Sequence, residues 1–194
     1  FEDPAVAAVQ GTTMTINAEE NMLTKFISYE QAAWLKNYLQ GKDALNLFVP
    51  LTGSCQFIRR DVLEKVGDWD ESCLAEDLDM SAKITHCGFH IRYAPDIISW
   101  QEAPSSLTQL INQRIRWFRG YMEVANKYGR LLKRLEKRSL DTEITLIGPY
   151  VLTLFFVRYI ISIYTSFFPV EYDFIFTTTS RLTLLLTTMT LLMA

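Results

Sequence analysis

Short apolar runs alternate with amphipathic segments along most of the chain, and the runs end at glycines or polar clusters. Strands and the helices that cover them give such a pattern, because side chains repeat every second residue in a strand and about every 3.6 residues in a helix. Residues 6–10 predict a buried strand that ends at Gly11. Residues 51–58 predict a second strand, interrupted by Gly53 and Ser54.

Three helices are predicted from helical spacing, at residues 19–38, 61–66 and 76–87. Each is followed by a glycine suited to a helix end: Gly41, Gly67 and Gly88. The third helix is expected to turn its apolar side chains inward, namely Leu78, Ala82 and Ile84.

A long helix is predicted after Ser106 and Gln109, which have the spacing of a capping box. Before it, two short strands at residues 90–93 and 97–100 are expected on either side of Pro95. Strands interleaved with helices in this way predict a mixed α/β fold.

The end of the chain holds an apolar surplus. Of the 194 residues 49% are hydrophobic, and residues 144–168 and 174–194 each contain a single charged residue, Arg158 and Arg181 respectively. Since about 20 apolar residues cross the hydrocarbon core of a bilayer, these stretches predict two transmembrane helices, the second truncated by the end of the chain. The alternative is a pair of buried core helices, but neither stretch shows the polar face of a helix packed at a domain surface.

Residues 127–143 form a basic segment before the first predicted span. Between Lys127 and Arg138 it has six basic residues and one acid, Glu136. Positive residues beside a span stay on the cytoplasmic side, so we predict an integral membrane protein whose soluble part is cytosolic. Three cysteines without CxxC spacing argue against a zinc site or a disulfide framework: Cys55, Cys73 and Cys87.

One face of the long helix carries a possible ligand site. Gln113, Arg116 and Trp117 are three and four positions apart and therefore lie on one face. A guanidinium can bind a diphosphate through two hydrogen bonds, and an indole offers a flat apolar surface to a sugar ring. The alternative is structural, with Trp117 in the core and the stem of Arg116 packed along it.

The adjacent acids Glu76 and Asp77 open a predicted helix, where acids commonly stabilise the helix dipole. Their side chains point in different directions, so a glycosidase pair facing across about 5–9 Å is a poor match. A single carboxylate acting as a general base is the better functional interpretation, since nearby phosphates would raise its pKa toward the range for proton abstraction.

Four motifs occur in an order that resembles one family. They are residues 53–63, the Glu-Asp-Leu-Asp run at 76–79, Gly88 with residues 91–95, and the Gln-Arg-Ile-Arg-Trp run at 113–117. Together they resemble the second half of a membrane-embedded family 2 glycosyltransferase, a group that includes the synthases of cellulose, chitin, hyaluronan and poly-N-acetylglucosamine. The resemblance implies a partial GT-A domain at residues 1–126, then the basic segment, then the transmembrane helices.

The resemblance implies an inverting transferase that moves a sugar from a nucleotide-diphosphate donor to a polysaccharide or lipid acceptor at the cytosolic membrane face. Asp77 would be the general base, with Glu76 beside it in the motif. Gly53 and Ser54 would form a small-residue turn next to the acceptor. The acceptor end and the leaving diphosphate would be held by Gln113, Arg116 and Trp117. Membrane lipids are further expected partners, and no nucleic acid is expected.

A divalent metal, Mg²⁺ or Mn²⁺, is also implied on the donor diphosphate. The family's Asp-x-Asp ligands and nucleotide-binding strands have no match here, so we expect them before Phe1 in a longer protein and expect this piece alone to be inactive. A rival interpretation is a membrane-anchored assembly subunit that keeps the fold without catalysis. A membrane hydrolase using Glu76 and Asp77 is weaker, because no nucleophile with a base partner is evident.

Overall fold

A three-stranded sheet forms the centre of the fold in the computed structural model, which describes residues 1–128 and 137–167. Strand β1 (Val6–Thr15) lies in the middle, with β2 (Gln56–Ile58) antiparallel on one side and β3 (His90–Gln101) parallel on the other. The mixed α/β prediction is confirmed. The second predicted strand is much shorter than residues 51–58, because the chain around Gly53 forms a turn instead.

Gly11 lies inside β1 and does not end it, so that prediction was wrong. A Cβ built at this position would lie 2.4 Å from Cys55 Sγ and 2.7 Å from the carbonyl oxygen of Ile97. Neighbouring chain segments therefore approach the strand too closely for any side chain, and the glycine marks close approach rather than a stop.

Pro95 does not separate two strands, as predicted, but sits in an irregularity within the single strand β3. Gly11 pairs with Ala94 and the next residue, Thr12, pairs with Ile98, so residues 95–97 bulge out of the ladder. A bulge accommodates proline because the ladder hydrogen bond that proline cannot donate is absent there.

The first predicted helix is three segments. Helix α1 (Met22–Ala33) is capped by Asn21, whose side chain accepts hydrogen bonds from the N–H groups of Leu23 and Thr24. The Thr24 side chain accepts the backbone N–H of Asn21, which completes a capping box. A π-helical segment (Trp34–Leu39) and helix α2 (Gln40–Ala44) follow directly. Gly41 therefore lies within α2 and not after a helix end, contrary to the prediction.

The other predicted helices are confirmed within a residue or two. They are α3 (Arg60–Val66), α4 (Glu76–His86) and α5 (Leu107–Tyr128). Gly67 and Gly88 follow α3 and α4 with φ of +89° and +85°, as predicted for glycines at helix ends. The inward residues of α4 are almost fully buried: Leu78, Ala82 and Ile84. Ile84 belongs to a core cluster that also includes Ala7 and Ala8 of β1.

The last described helix, α6 (Lys137–Phe167), is long and apolar. It begins seven residues before the predicted span at 144–168, so the end of the basic segment is helical. The stretch Lys137–Thr165 has the length and composition to cross a membrane, and large apolar side chains such as Leu154 and Phe156 are more than half exposed. The buried-core alternative thus lacks support among residues 137–167. The second predicted span, 174–194, lies outside the described residues.

The chain divides into two compact units, with the boundary between Ile147 and Gly148. All site residues predicted from the sequence lie in the first unit.

Candidate active site

Asp77 lies in the first turn of α4, which begins without a capping side chain at Ala75. Its Oδ1 accepts the N–H of Leu78 at 2.8 Å. Its carbonyl oxygen accepts the hydroxyl of Ser81 at 2.7 Å, and that hydroxyl in turn accepts the N–H of Leu51 at 2.8 Å. The start of α4 is thereby tied to the chain that leads into the turn at Gly53.

The turn at Gly53 and Ser54 faces Asp77. Gly53 has φ of +75°, and a Cβ built on it would lie 3.3 Å from Oδ2 of Asp77. Ser54 is fixed by a hydrogen bond of 2.8 Å between its hydroxyl and that of Thr13. A residue with a side chain at position 53 would have a strained backbone and would also crowd the carboxylate. Glycine is therefore favoured here both by the backbone conformation and by the available space.

The Asp77 carboxyl is half-buried, and burial raises its pKa to about 6, with the like charge of Glu76 adding to the effect. Glu76 itself is exposed to solvent. Tyr121 of α5 stands near enough that the Asp77 charge, after burial, helps to raise the pKa of the tyrosine. A carboxylate with a pKa about one unit below neutrality is ionised at physiological pH and still basic enough to accept a proton.

Asp79, two residues after Asp77, has a different environment and forms buried ion pairs. It is fully buried and accepts the ammonium of Lys127 at 2.7 Å, with Lys83 at 3.2 Å. Lys127 also binds Asp70 at 2.8 Å, and these carboxylates hold the pKa of Lys127 above its usual range. The ion cluster joins α4 to the end of α5.

A polar cleft of about 600 Å³ lies along the first half of α5. Gln113 and Arg116 line it together with Glu102, Gln109 and Asn112. Arg116 is exposed and makes no ion pair with any residue in 1–128 or 137–167. A guanidinium beside several amides can bind the oxygens of a phosphate or a sugar.

Trp117 is 41% exposed, so the alternative that places it in the core was wrong. The guanidinium of Arg114 stacks over its ring at 4.7 Å, and Arg114 also pairs with Glu30 of α1. The indole is thus held in place while part of its surface stays accessible.

The structure brings Asp77 together with Gly53 and brings Gln113 together with Arg116, but the lining of the cleft includes neither Asp77 nor Trp117. Helix α5 connects the two groups. A Cβ at Gly120 would lie 2.7 Å from that of Ala75, just before α4, and Tyr121 interacts with Asp77. Five residues of helix, a rise of about 7.5 Å, separate Arg116 from Tyr121.

A metal site is not evident in this part of the molecule. Among residues 1–128 and 137–167, no three side chains of His, Cys, Asp or Glu lie close enough together to hold an ion. The described residues therefore do not fit the metal that the resemblance implies.

The family described as "Glycosyl transferase family group 2" matches the chain over residues 1–194. The chain belongs to this family. Family membership supports a glycosyltransferase, with a core α/β fold of the kind described above.

Two bacterial proteins show the similarity in detail. The chain is 31% identical to the probable glycosyltransferase YdaM of Bacillus subtilis (strain 168) over 140 residues, which are 72% of this chain and 33% of that protein. It is 28% identical to the poly-beta-1,6-N-acetyl-D-glucosamine synthase of Staphylococcus aureus (strain COL) over 122 residues, 63% of this chain and 29% of that protein. The chain thus matches about a third of the length of these relatives.

Two residues of this family 2 domain were missed by sequence reasoning. Tyr121 stands one turn beyond Trp117 and two beyond Gln113, so helical spacing placed it on the same face. Gln10 ends an otherwise apolar run, and its side chain is fully buried. A polar residue at a buried strand position signals a hydrogen-bonding role, because burying an unpaired amide is costly.

Proposed function

We propose that this chain is the acceptor-side part of a membrane-embedded, inverting glycosyltransferase that moves a sugar from a nucleotide-diphosphate donor to a growing polysaccharide. The observation that carries the proposal is the half-buried carboxylate of Asp77, with a pKa of about 6, set against the turn at Gly53. A general base needs this combination of partial burial, ionisation near neutral pH and a neighbouring backbone with no side chain in the way.

In this reaction Asp77 takes the proton of an acceptor hydroxyl. The hydroxyl oxygen then forms a bond to the anomeric carbon from the face opposite the donor phosphate, and the bond from that carbon to the diphosphate oxygen breaks with the electron pair leaving on oxygen. The guanidinium of Arg116 binds the departing diphosphate and offsets its charge. Trp117 supports the acceptor sugar through its exposed ring surface.

Two findings support the acceptor and the setting. A relative that is 28% identical is a polysaccharide synthase by name. Helix α6 has the length and apolar composition of a membrane span, and the basic residues before it favour a cytosolic catalytic part. Mg²⁺ or Mn²⁺ on the donor diphosphate belongs to the proposal, but its ligands are not assigned to the described residues, and no step above depends on it.

The test is a donor screen on the full-length protein in membranes. Release of nucleoside diphosphate and growth of a carbohydrate polymer are measured for a panel of nucleotide sugars, with and without divalent ions. Asp77→Asn is expected to lower transfer by more than about 100-fold, since general base catalysis is commonly worth that much. Asp61→Asn, an exposed acid of α3, is the matched control and is expected to keep near-normal transfer.

Near-normal turnover by Asp77→Asn would refute the assignment of the base. Absence of transfer in both the wild-type protein and the variant, for every donor, would favour the rival assembly-subunit function.

Arg116→Ala tests the diphosphate site on the same protein. Loss of a charged hydrogen bond of about 1.5–3 kcal/mol predicts binding of the free nucleoside diphosphate weakened by roughly ten- to a hundredfold, measured by calorimetry. Arg119→Ala, an exposed arginine on the same helix outside the cleft lining, is the control and is expected to bind normally.

A further inference from the structure

The fully buried amide of Gln10 spans the turn that faces Asp77. Its Oε1 accepts the N–H of Thr52 at 2.9 Å, and its Nε2 donates to the carbonyl oxygen of Ser54 at 2.8 Å. The two bonded backbone groups flank Gly53 on either side. One side chain from the central strand thereby fixes both ends of the turn.

We propose that Gln10 is a positioning residue for sugar transfer. It holds the Gly53 turn against the Asp77 carboxylate, and so sets both the position of this carboxylate and its shielding from water. This inference rests on the proposed function, because it takes Asp77 as the base. Gln10 does not itself touch the carboxylate and acts through the turn.

The hydrogen bonds explain why a glutamine suits this role. Position 10 is in the middle strand of the sheet, and the amide offers one acceptor oxygen and two N–H donors in a fixed plane. Its Nε2 also donates to the carbonyl oxygen of Gly11 at 2.9 Å, which holds the side chain to its own strand. An apolar side chain of the same size would leave the N–H of Thr52 and the carbonyl oxygen of Ser54 without these partners. Those backbone groups would then seek water, and the turn would move away from Asp77.

A second hydrogen bond holds the same turn more weakly. Thr13 is almost fully buried, and its hydroxyl forms a hydrogen bond of 2.8 Å with the Ser54 hydroxyl. The Thr13 hydroxyl also accepts a longer hydrogen bond from the Ser99 hydroxyl, at 3.3 Å. Loss of this single bond should loosen the turn less than loss of both Gln10 bonds.

The charged and titratable groups around Asp77 predict the direction of the effect on pH dependence. Glu76 on the same helix adds a like charge, Tyr121 faces the carboxyl from α5, and the Gly53 turn brings no titratable side chain toward it, since the Cys55 thiol lies by the Ile97 carbonyl oxygen. Burial is the main reason that the pKa of Asp77 stands near 6. A looser turn admits water to the carboxyl, and its pKa falls.

The experiment measures the pH dependence of sugar transfer by the full-length protein in membranes, comparing the wild type with Gln10→Met. A shift of one ångström at a reacting centre can cost about 100-fold, so we expect kcat to fall by roughly ten- to a hundredfold at pH 8. We also expect the acid limb of the pH profile to move from about pH 6 toward lower pH by about half a unit or more. A purely structural role for Gln10 would lower the amount of active protein without moving the acid limb.

Gln56→Met is the matched control. Gln56 lies directly across from Gln10 on β2, and its buried Oε1 has no hydrogen-bond partner among the described residues. The same chemical change there should leave kcat and the acid limb unchanged. A Gln10→Met profile that coincides with those of Gln56→Met and the wild type would overturn the proposal.

Two further variants keep the test decisive. Asp77→Asn is assayed in parallel: if it stays active, the proposed base is wrong, whereas if it is inactive and Gln10→Met behaves normally, only the role of Gln10 is wrong. If Gln10→Met does not accumulate as folded protein, Thr13→Val decides the matter. A smaller shift of its acid limb in the same direction supports the positioning role, and an unshifted acid limb overturns it.

Discussion

Asp77 occupies a position that favours reactivity at the expense of stability. Burial of its carboxyl disfavours the ionised form in the folded protein and raises its pKa from the ordinary value of 3.8 to about 6, whereas the unfolded chain keeps the ordinary value. Below pH about 4 the group is neutral in both states and contributes no penalty. As the pH rises from about 4 to 6 the unfolded state loses its proton first, so the folded state becomes relatively less stable.

This sign gives a prediction for Asp77→Asn. Above pH 6 the variant should be more stable than the wild type by on the order of 1–3 kcal/mol, since each pKa unit corresponds to about 1.4 kcal/mol. The advantage should shrink as the pH falls toward 4. The measurement is thermal unfolding of the purified full-length protein in detergent at several pH values, and a variant that is less stable at pH 8 would contradict the environment described for Asp77.

On helix α5 the sequence predicted which residues share a face, but it did not predict their contacts with other helices. The spacing of Gln113, Arg116 and Trp117 predicted one helix face, and all three residues lie in helix α5. Arg114 is three positions before Trp117 and can reach its indole by the same spacing, but nothing in that spacing indicated that Arg114 would also pair with Glu30. A contact between residues 84 positions apart depends on how two helices pack, which local spacing does not encode.

At the scale of elements, the crossing of α4 and α5 decides where the proposed base stands. Gly120 is buried in α5, and a Cβ there would lie 2.7 Å from the Cβ of Ala75 and 2.9 Å from its backbone nitrogen. The two helices can approach this closely because α5 has no side chain at the contact. Asp79 and Lys127 add an ion pair between the same helices.

Gly120→Ala should therefore push the start of α4 away from α5. Overpacking of this kind costs about 1–3 kcal/mol, which outweighs the helix propensity gained from alanine. We expect a lower unfolding temperature and reduced transfer, because Asp77 is two residues from the displaced Ala75. Gly41→Ala is the control: a Cβ at this position in helix α2 meets nothing within 4 Å, so stability should be kept or slightly raised. Equal stability of the two variants would contradict the close crossing.

Sequence periodicity identified the helices and strands but placed some of their ends wrongly. Gly11 and Pro95 are usual strand-ending residues, and both lie within strands here. Their positions are explained by tertiary contacts: close approach of Cys55 and Ile97 at Gly11, and a bulge around Pro95. Gly41 likewise does not end a helix, because it lies in α2, which follows the π-helical segment without a break. Breaker residues report local conformational preference, and packing can override it.

At the scale of the molecule, the beginning of α6 is fastened to the α/β unit. The ammonium of Lys42, which is almost fully buried, binds Asp141 of α6 at 2.9 Å and the Thr145 hydroxyl at 2.6 Å. The same Asp141 oxygen accepts the N–H of Phe48 at 2.9 Å. About six turns of α6 follow Thr145 within the described residues.

Lys42→Met should remove the ammonium from the partly buried Asp141 carboxylate, which would keep its hydrogen bond from the Phe48 N–H. Removing one member of a buried ion pair commonly costs about 3–5 kcal/mol, and we expect the lower end because one hydrogen bond remains. The control is Lys25→Met in an exposed pair with Glu19, where solvent screening should make the loss of stability much smaller. Unfolding temperatures of the two variants in detergent distinguish these outcomes, and similar losses would show that the Lys42 pair is not an anchor.

The membrane span that we propose for α6 gives a prediction for the full-length protein in cells. A helix held in the bilayer by some 20 apolar residues resists extraction, whereas a peripheral protein is released by alkaline carbonate. We expect the protein to sediment with membranes and to remain there after carbonate washing, with detergent required for release. Complete release by carbonate would rule out a spanning role for the described helix α6.

The sequence by itself determined the alternation of strands and helices, the apolar end of the chain, and the residue types at Asp77, Gly53 and the face that carries Arg116. These follow from periodicity and side-chain chemistry, which are local properties. The tertiary structure alone decided that the Gly53 turn meets Asp77, that Gln10 supports this turn from the central strand, and that Gly120 brings α5 onto the start of α4. Each of these contacts joins residues far apart in the chain, and their distances depend on how whole elements pack, which no local pattern records.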